Sequence, residues 1–295
     1  MAQILDGKVV RDKIAEELKS EIAKLDLKPR LAIIQVGDVA ESNTYIAQKI
    51  KFGEKIGAIV EHIKLPKNVS QKDLISKLYS LNSNPLIHGI IVQLPIPESL
   101  EKNQIIESIN PTKDVDGQTS KNIKALTENQ KGFTPATTKG IFTLLDFYKI
   151  PVEGKHIVVV GRSTLVGKPT ALLALNKNAT VTVAHSKTTN LPTVTKSADI
   201  LIVAVGKPKI ITRDYVSKDQ VVIDVGINVV QMKLGVEPQL TKPESEPSAR
   251  KLVGDVDFDK VKKNVAAISP VPGGAGPMTV ASLFQNLLEA YKIQT

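Results

Sequence analysis

Residues 156–184 read HIVVVGRSTLVGKPTALLALNKNATVTVA. The pattern predicts an apolar strand at 156–161, a glycine-containing loop and a helix within 162–177, and a second strand at 179–184. An almost purely apolar strand is typical of a sheet that is buried on both faces. Two strands that are joined by a helix of this length imply a parallel βαβ crossover. The stretch therefore predicts a parallel α/β sheet.

The same alternation of helix and strand patterns runs along the rest of the chain. Helices are predicted at 8–25, 42–56, 70–82, 98–109, 139–148 and 279–292, and strands at 30–38, 58–65, 87–95, 199–206 and 220–226. Ser70 is expected to cap its helix, because a hydroxyl can accept an early amide. The polar, proline-containing residues 231–250 predict an exposed loop or a hairpin. We expect an α/β domain before residue 139, a nucleotide-binding α/β domain after it, and a ligand cleft between them.

Composition excludes several classes of protein. The chain has 295 residues, 42% of them hydrophobic, and no cysteine, so disulfides, thiolate zinc sites, iron–sulfur clusters and cysteine nucleophiles are impossible. The N-terminal stretch MAQILDGKVVRDK lacks the apolar core of a signal peptide. No apolar run approaches the ~20 residues that a membrane span needs. We expect a soluble, intracellular protein that does not bind membranes.

The net charge of +9 leaves nucleic acids and anionic small molecules as alternative partners. Tryptophan is absent, aromatic residues are 4% of the chain, and the lysines are dispersed. Proteins that bind single strands use stacking surfaces, which this composition lacks. We therefore expect no nucleic-acid partner. The most favoured explanation of the positive charge is a diffuse, solvated basic surface. The next is a site that binds an anionic small molecule.

The loop from Gly161 to Pro169 follows a buried strand and opens a helix. This is where a dinucleotide pyrophosphate meets free backbone amides, although the G-x5-G spacing by itself also fits an ordinary turn. An NAD site usually places an acid about 20 residues further on, and residues 184–188, AHSKT, contain none. Hydroxyls and cations there, with Arg162 and Ser163 nearby, suit a 2′-phosphate. The predicted cofactor is NADP.

Ser42, Tyr45 and Lys49 share one face of a predicted helix. A lysine beside a tyrosine hydroxyl could act as an acid or base if burial lowered its pKa. The spacing alone favours the alternative, an exposed lysine like Lys51 and Lys55.

Three further groups of residues could bind a ligand. Gln93 ends an apolar strand, where it is either a ligand contact or a cap before the turn. Asp114 and Asp116 could accept N–H groups or form a solvated acidic turn, and no metal site is indicated. Residues 270–277 contain three glycines and three prolines, which we expect to exclude regular structure and to let the main chain approach a ligand.

Taken together, these motifs resemble those of the bifunctional methylenetetrahydrofolate dehydrogenase/methenyltetrahydrofolate cyclohydrolase family. They are SNTYIAQK at 42–49, GIIVQLPIP at 89–97, PTKDVDG at 111–117, VVGRSTLVGKP at 159–169, ATVTVAHSKT at 179–188, ADILIVAVGKP at 198–208, VIDVGIN at 222–228, GDVDF at 254–258 and SPVPGGAGPMT at 269–279. The resemblance spans nearly the whole chain in the family's order, and it overrides the expectation of an exposed Lys49.

The resemblance implies oxidation of 5,10-methylenetetrahydrofolate with NADP, followed by hydrolysis of the methenyl cation to 10-formyltetrahydrofolate. It also implies a cytoplasmic homodimer. The implied division is a folate-binding catalytic domain over 1–138 and 279–295, and a Rossmann-type NADP-binding domain over 139–278.

The resemblance assigns roles to individual residues. Lys49 transfers protons, Tyr45 positions it and stacks near the folate ring, Gln93 tunes it, and Asp116 holds the pterin edge. Substrate contacts are implied for Tyr45, Lys49, Val92, Gln93, Leu94, Asp116, Pro272, Gly273 and Gly274. Cofactor contacts are implied for Gly161, Arg162, Ser163, His185, Ser186 and Ile227.

The chain departs from the family pattern at a few positions. Ala136 and Thr138 replace a cysteine and a proline, and Gln118 and Thr119 replace the usual aromatic residue and histidine. We expect both activities to survive. The alternatives are another NADP dehydrogenase on a similar fold, a catalytically silent NADP- or folate-binding protein, and a basic nucleic-acid binder.

Overall fold

The computed structural model describes residues 2–231 and 250–295. Helices α1 to α10 span, in order, Gly7–Ile22, Ala40–Ile56, Gln71–Ser83, Lys102–Glu107, Ser120–Thr127, Ala136–Phe147, Gly167–Asn176, Leu191–Lys196, Phe258–Val261 and Ala275–Gln294. Strands β1 to β11 span Gln3–Ile4, Arg30–Val36, Ile59–Leu65, Gly89–Val92, His156–Val160, Thr180–Ala184, Ile200–Val203, Val221–Asp224, Asn228–Gln231, Arg250–Val253 and Ala267–Ile268.

The first sheet has three parallel strands in the order β3-β2-β4. Strand β2 is buried on both faces because its apolar residues alternate between two cores. Leu31 and Ile33 belong to one hydrophobic cluster, and Ala32 and Ile34 belong to another. The predicted cap of α3 is present, since Ser70 Oγ accepts the amide of Asp73 at 3.1 Å.

The second sheet has six strands in the order β1-β11-β8-β7-β5-β6, and all of its neighbouring strands are parallel. The side chains of its interior strand β5, which lies between β7 and β6, alternate between two hydrophobic clusters as those of β2 do. Ile157 and Val159 pack in the cluster that also contains Leu31, whereas Val158 and Val160 pack in a third cluster. The predicted α/β class is confirmed, and one core connects the two sheets.

Helix α10 connects the end of the chain to the first sheet. It packs most extensively against α6 and α1. Asn286 Nδ2 donates to the carbonyls of Val115 at 2.9 Å and Thr134 at 3.0 Å. These two hydrogen bonds join α10 to segments within 1–138, whereas α6 lies mostly within 139–278, so the division into 1–138 with 279–295 and 139–278 stays a prediction. Among the described residues, no helix is both long and apolar enough to cross a bilayer.

Several elements differ from expectation. Strand β1 pairs with β11, so residues 3 and 4 extend the second sheet rather than the first. Helices α5, α8 and α9 were not predicted. The expectation that residues 270–277 exclude regular structure is wrong, since α10 begins at Ala275. Pro277 lies in the first turn, where an amide has no partner within the helix.

The predicted loop over 231–250 lies mostly outside the described residues, which omit 232–249. Strands β9 and β10, on either side of that gap, pair antiparallel to each other.

Candidate active site

Helix α2 and the end of strand β4 bring Lys49 and Gln93 together. Lys49 Nζ donates to Gln93 Oε1 at 2.6 Å. The side-chain nitrogen Nε2 of Gln93 in turn donates to the carbonyl of Leu94 at 2.8 Å. This bond fixes the orientation of the Gln93 side chain. Ser42, on the same face of α2, is buried and donates to the Leu94 carbonyl at 3.4 Å. The predicted helical face therefore packs against the carboxyl end of β4.

The expectation of an exposed Lys49, based on spacing, is wrong. Burial lowers the pKa of Lys49 below its usual 10.5, and the nearby charge of Asp116 partly opposes this. Burial raises the pKa of Asp116 above its usual 3.8, while Lys49 counteracts the rise. The two groups thus share a poorly solvated site, where a neutral amine is easier to form than in water.

The alternative of a solvated acidic turn at Asp114 and Asp116 is also wrong. Asp114 is buried and accepts the Thr119 amide at 2.7 Å and Asn122 Nδ2 at 2.9 Å, so it holds the loop together. Asp116 instead lines the cavity of the site and accepts a hydrogen bond from Gln118 Nε2.

A cavity of about 210 Å³ contains these groups. It is lined by Lys49, Ile91, Val92, Gln93, Leu94, Asp116, Gln118, Pro135, Ala136, Thr137, Leu165, Val166, Thr279 and Leu283. The cavity brings together five of the predicted substrate contacts, which come from α2, β4 and the loops that follow β4 and α4. Leu165 and Val166 belong to the glycine loop of the second sheet, so the cavity lies between the two sheets.

Tyr45, Ile227, Pro272 and Gly273 line a different, larger cavity of about 670 Å³. Tyr45 is thus not among the residues that line the cavity around Lys49. Gly274 lies behind the residues that line this cavity, and its backbone amide donates to the Pro270 carbonyl at 2.7 Å. The rim of the larger cavity carries Lys8, Arg11, Lys51 and Lys55 as well as Asp12 and Glu54.

The glycine loop has the shape that a dinucleotide phosphate needs. Gly161 has a φ of +131°, and a Cβ there would lie 2.2 Å from the Ala204 carbonyl oxygen. A Cβ on Gly167 would lie 2.3 Å from the Gly161 carbonyl oxygen. Ser163 Oγ accepts the amides of Val166 and Gly167 at 3.2 and 3.3 Å. The close approach of strand, turn and helix leaves the N-terminus of α7 beside exposed Arg162.

The turn after β6 fits a 2′-phosphate. His185 donates its amide to Thr188 Oγ1 at 2.8 Å and accepts the Lys187 amide at Nδ1 at 3.1 Å. Ser186 and Lys187 are exposed at this edge, next to the loop after the parallel strand β5. Cationic and hydroxyl groups, with no acid in the turn, fit NADP in this position. No group of three or more His, Asp or Glu residues that could hold a metal occurs among residues 2–231 and 250–295.

Two buried carboxylates, Asp224 and Asp255, are not among the predicted site residues. Asp255 accepts the amides of Val205, Gly206 and Lys207 at 2.7 to 2.9 Å. Asp224 lines the larger cavity, and burial raises its pKa to about 7. The DVG and GDVD motifs that contain them carry part of the family resemblance, which predicts no site role for either aspartate. Asp224 lies near the carboxyl end of the predicted strand 220–226, and an acid at that place in an apolar strand was a signal of a role at the sheet edge.

Comparison with known protein families matches both halves of the chain. Residues 5–116 match the catalytic domain of tetrahydrofolate dehydrogenase/cyclohydrolase, and residues 135–295 match its NAD(P)-binding domain.

Relatives cover the full length of the chain. Bifunctional protein FolD of Thermodesulfovibrio yellowstonii is 45% identical over 99% of this chain and 98% of its own. The crystal structure of the bifunctional FolD dehydrogenase/cyclohydrolase from Campylobacter jejuni is 39% identical, with a TM-score of 0.92 over 100% of both chains. The Trypanosoma brucei dehydrogenase-cyclohydrolase, solved with NADP and an inhibitor, is 34% identical, with a TM-score of 0.90 over 99% of this chain and 98% of its own.

Proposed function

The chain belongs to the tetrahydrofolate dehydrogenase/cyclohydrolase family, and from this premise we propose how its own residues carry the two reactions. The enzyme oxidises 5,10-methylenetetrahydrofolate with NADP to the 5,10-methenyl cation. It then hydrolyses that cation to 10-formyltetrahydrofolate in one-carbon metabolism. The observation that carries the assignment of roles is the hydrogen bond between Lys49 and Gln93 beside Asp116.

The oxidation needs alignment more than acid–base chemistry. The bridge carbon lies between two nitrogens, whose lone pairs stabilise the cation that forms. The cofactor supplies the redox chemistry, since hydride is passed to its nicotinamide ring. In our proposal, Asp116 holds the pterin edge, and Val92 and Leu94 form the wall against which the ring lies. Tyr45, Pro272, Gly273 and Gly274 contact the rest of the folate from the larger cavity. These contacts hold the folate in one orientation, so that the reaction takes place within a bound, aligned complex rather than on a random encounter.

The proposed cofactor site lies along the edge of the second sheet. Gly161, Arg162 and Ser163 bind the phosphates at the N-terminus of α7, and His185 and Ser186 bind the 2′-phosphate. Ile227 packs against the cofactor from the loop after β8. The fit is supported by the close approaches at Gly161 and Gly167, which leave no space for a side chain.

The hydrolysis uses Lys49 twice. Water attacks the bridge carbon of the methenyl cation while neutral Lys49 removes a proton from that water. The bond from that carbon to N5 then breaks, and the protonated lysine returns a proton to N5 as the formyl carbonyl forms. One proton goes to solvent overall, since a cation and water yield a neutral product. Gln93 Oε1 keeps the amine aimed at the reacting carbon, and burial keeps its pKa low enough for neutral amine to be present.

The experiment that tests the function supplies purified protein with 5,10-methylenetetrahydrofolate and either NADP or NAD. Reduced cofactor and the methenyl cation are followed together. We expect reduction with NADP in preference to NAD, without accumulation of the cation. Accumulation of the cation would contradict the hydrolytic step. Absence of reduction with both cofactors would overturn the function and favour a silent binding protein.

We also propose that the enzyme is a cytoplasmic homodimer, as the family resemblance implies, and that its folate substrate can carry a polyglutamate tail. Light scattering on the purified protein tests the first point. A mass of twice 31.9 kDa supports the dimer, and a mass of 31.9 kDa contradicts it.

A further inference from the structure

Asp255 occupies a concavity of backbone amides at the carboxyl edge of the second sheet. Its side chain is completely buried, and its carboxylate accepts the amides of Val205, Gly206 and Lys207. Successive amides that point to one side form a concavity that binds anions, often a phosphate. Here a carboxylate of the chain itself occupies the concavity. The loop after β7 is therefore held in place before any ligand binds.

The same carboxylate also fixes the loop after β8. Asp255 Oδ1 accepts Asn228 Nδ2 at 2.9 Å. A Cβ on Gly226 would lie 2.2 Å from Asp255 Cγ, so this loop approaches the carboxyl group too closely for a side chain. Ile227, between these two loop residues, lines the larger cavity and is one of the proposed cofactor contacts. Asp255 thus connects the loops that follow β7 and β8.

A second buried carboxylate holds the backbone of Asp255. Asp224, at the end of β8, accepts the amides of Asp255 and Val256 at 3.0 and 2.9 Å. The segment before α9 also runs beside the loop after β7, since the Lys209 amide donates to the Gly254 carbonyl at 3.0 Å. These bonds join three segments at one edge of the sheet, so the fold determines where the Asp255 carboxylate lies.

The order of the strands indicates which part of the cofactor these loops face. Strand β5 lies between β6 and β7, and β8 follows β7. The proposed site places the 2′-phosphate at the turn after β6 and the other phosphates at the loop after β5. Ligands of open α/β sheets lie along the carboxyl ends of the strands. A dinucleotide that continues in the same direction brings its nicotinamide half to the loops after β7 and β8.

We propose that Asp255 is a positioning residue for the cofactor, whose carboxylate holds the loops after β7 and β8 in the arrangement that receives the nicotinamide half of NADP. The inference rests on the proposed function, because it takes the proposed cofactor site as given. Asp255 is completely buried, so it acts through residues 205–207 and Asn228 rather than by touching the cofactor. Its carboxylate also fills the amide concavity, which leaves the amides at the start of α7 to bind phosphate.

Asp255→Asn tests the proposal with little change in shape. Oδ2 accepts the amides of Val205 and Gly206, and Oδ1 accepts the amide of Lys207 and Nδ2 of Asn228. Whichever oxygen is replaced, the new NH2 group faces two N–H donors, so the loops lose their fixed arrangement. We expect the Kd of NADP, measured by calorimetry on the full-length protein, to rise at least about tenfold. The Kd of adenosine 2′,5′-bisphosphate, which is the adenosine half of the cofactor, should stay unchanged.

Asp114→Asn is the matched control. Asp114 is also a buried carboxylate that accepts a backbone amide and an asparagine Nδ2, but it lies beside β4 of the first sheet. Its replacement should leave the Kd of both ligands unchanged. Asn228→Ala is the second variant, in case Asp255→Asn does not fold. It removes one of the four donors to Asp255 and should raise the Kd of NADP about threefold, again without an effect on adenosine 2′,5′-bisphosphate.

The outcomes separate this inference from the proposed function. An unchanged Kd of NADP in both Asp255→Asn and Asn228→Ala overturns the inference. Equal losses for NADP and adenosine 2′,5′-bisphosphate also overturn it, because the variants would then disturb the whole cofactor site. An equal loss of NADP binding in Asp114→Asn overturns it as well, since the effect would be one of general stability. Failure of the wild-type protein to bind NADP would instead overturn the proposed function.

Discussion

Lys49 and Gln93 lie 44 residues apart in sequence, and a hydrogen bond of 2.6 Å joins their side chains. The bond connects helix α2 to the carboxyl end of strand β4. The neutral amide fixes the direction of the amine without adding a negative charge beside it. Since burial lowers the pKa of Lys49, this arrangement gives an aimed amine that loses its proton more readily than a solvated lysine.

Gln93→Glu should move the pH dependence of the hydrolysis to higher pH. A carboxylate beside Lys49 favours the charged lysine and raises its pKa, whereas the reaction requires the neutral amine. A rise of about one unit means about tenfold slower hydrolysis below the pKa. The measurement is kcat/KM for methenyl hydrolysis between pH 6 and 8.5. Gln130→Glu, on an exposed loop, is the control. An unshifted profile in Gln93→Glu would argue against Lys49 as the titrating group.

Asp116→Asn should have the opposite effect on the profile. The charge of Asp116 raises the pKa of Lys49, so its removal lowers that pKa and moves the rising limb to lower pH. The KM for the folate should increase about tenfold, because a charged acceptor is lost. The Kd for NADP should stay the same. Asp26→Asn, an exposed site on another loop, controls for the change in net charge. A shift to higher pH would contradict the proposed coupling.

Gly161→Ala should abolish tight NADP binding and destabilise the second domain. A methyl group there would overlap the Ala204 carbonyl oxygen, at 2.2 Å, on a backbone with a φ of +131°. Gly154→Ala is a matched control, because its φ is +71° and nothing lies within 4 Å of the added Cβ. We expect at least a tenfold higher Kd for NADP in Gly161→Ala only, measured by calorimetry. Equal Kd values in the two variants would refute the close-approach argument.

Thr138 replaces a proline of the family pattern, and its hydroxyl lies 3.3 Å from that of Thr170, with both side chains buried. This contact joins α6 to α7 where the two proposed domains meet. Thr138→Val and Thr170→Val should each lower the free energy of unfolding by about 1 kcal/mol. The double variant should cost less than the sum by about 0.5 kcal/mol or more. Urea unfolding of all four proteins measures this, and strict additivity would show that the two hydroxyls are not coupled.

The sequence predicted the sheets better than the site. Interior strands such as β2 and β5 were predictable because burial on both faces leaves an uninterrupted apolar run. Strands β1 and β11 have two residues each, which is too short for any periodicity. The start of α10 was missed because glycines and prolines at 270–277 outweighed the helical pattern after them.

The site depended on contacts between distant segments. Spacing along α2 placed Ser42, Tyr45 and Lys49 on one face, but it could not show that Tyr45 and Lys49 line different cavities. The burial of Lys49 depends on α2, β4 and the loop that carries Asp116, so spacing alone predicted the wrong environment. The resemblance to a family supplied that information, and Gln118 was recognisable only as a departure from it.

The most direct test of the account is methenyl hydrolysis by Lys49→Met, with Lys77→Met on an exposed face of α3 as the control. The account predicts that Lys49→Met binds NADP with an unchanged Kd but hydrolyses 5,10-methenyltetrahydrofolate no faster than buffer does. Lys77→Met should keep the wild-type rate. Hydrolysis by Lys49→Met at a rate near that of the wild type would contradict the role of Lys49 as the group that moves the proton.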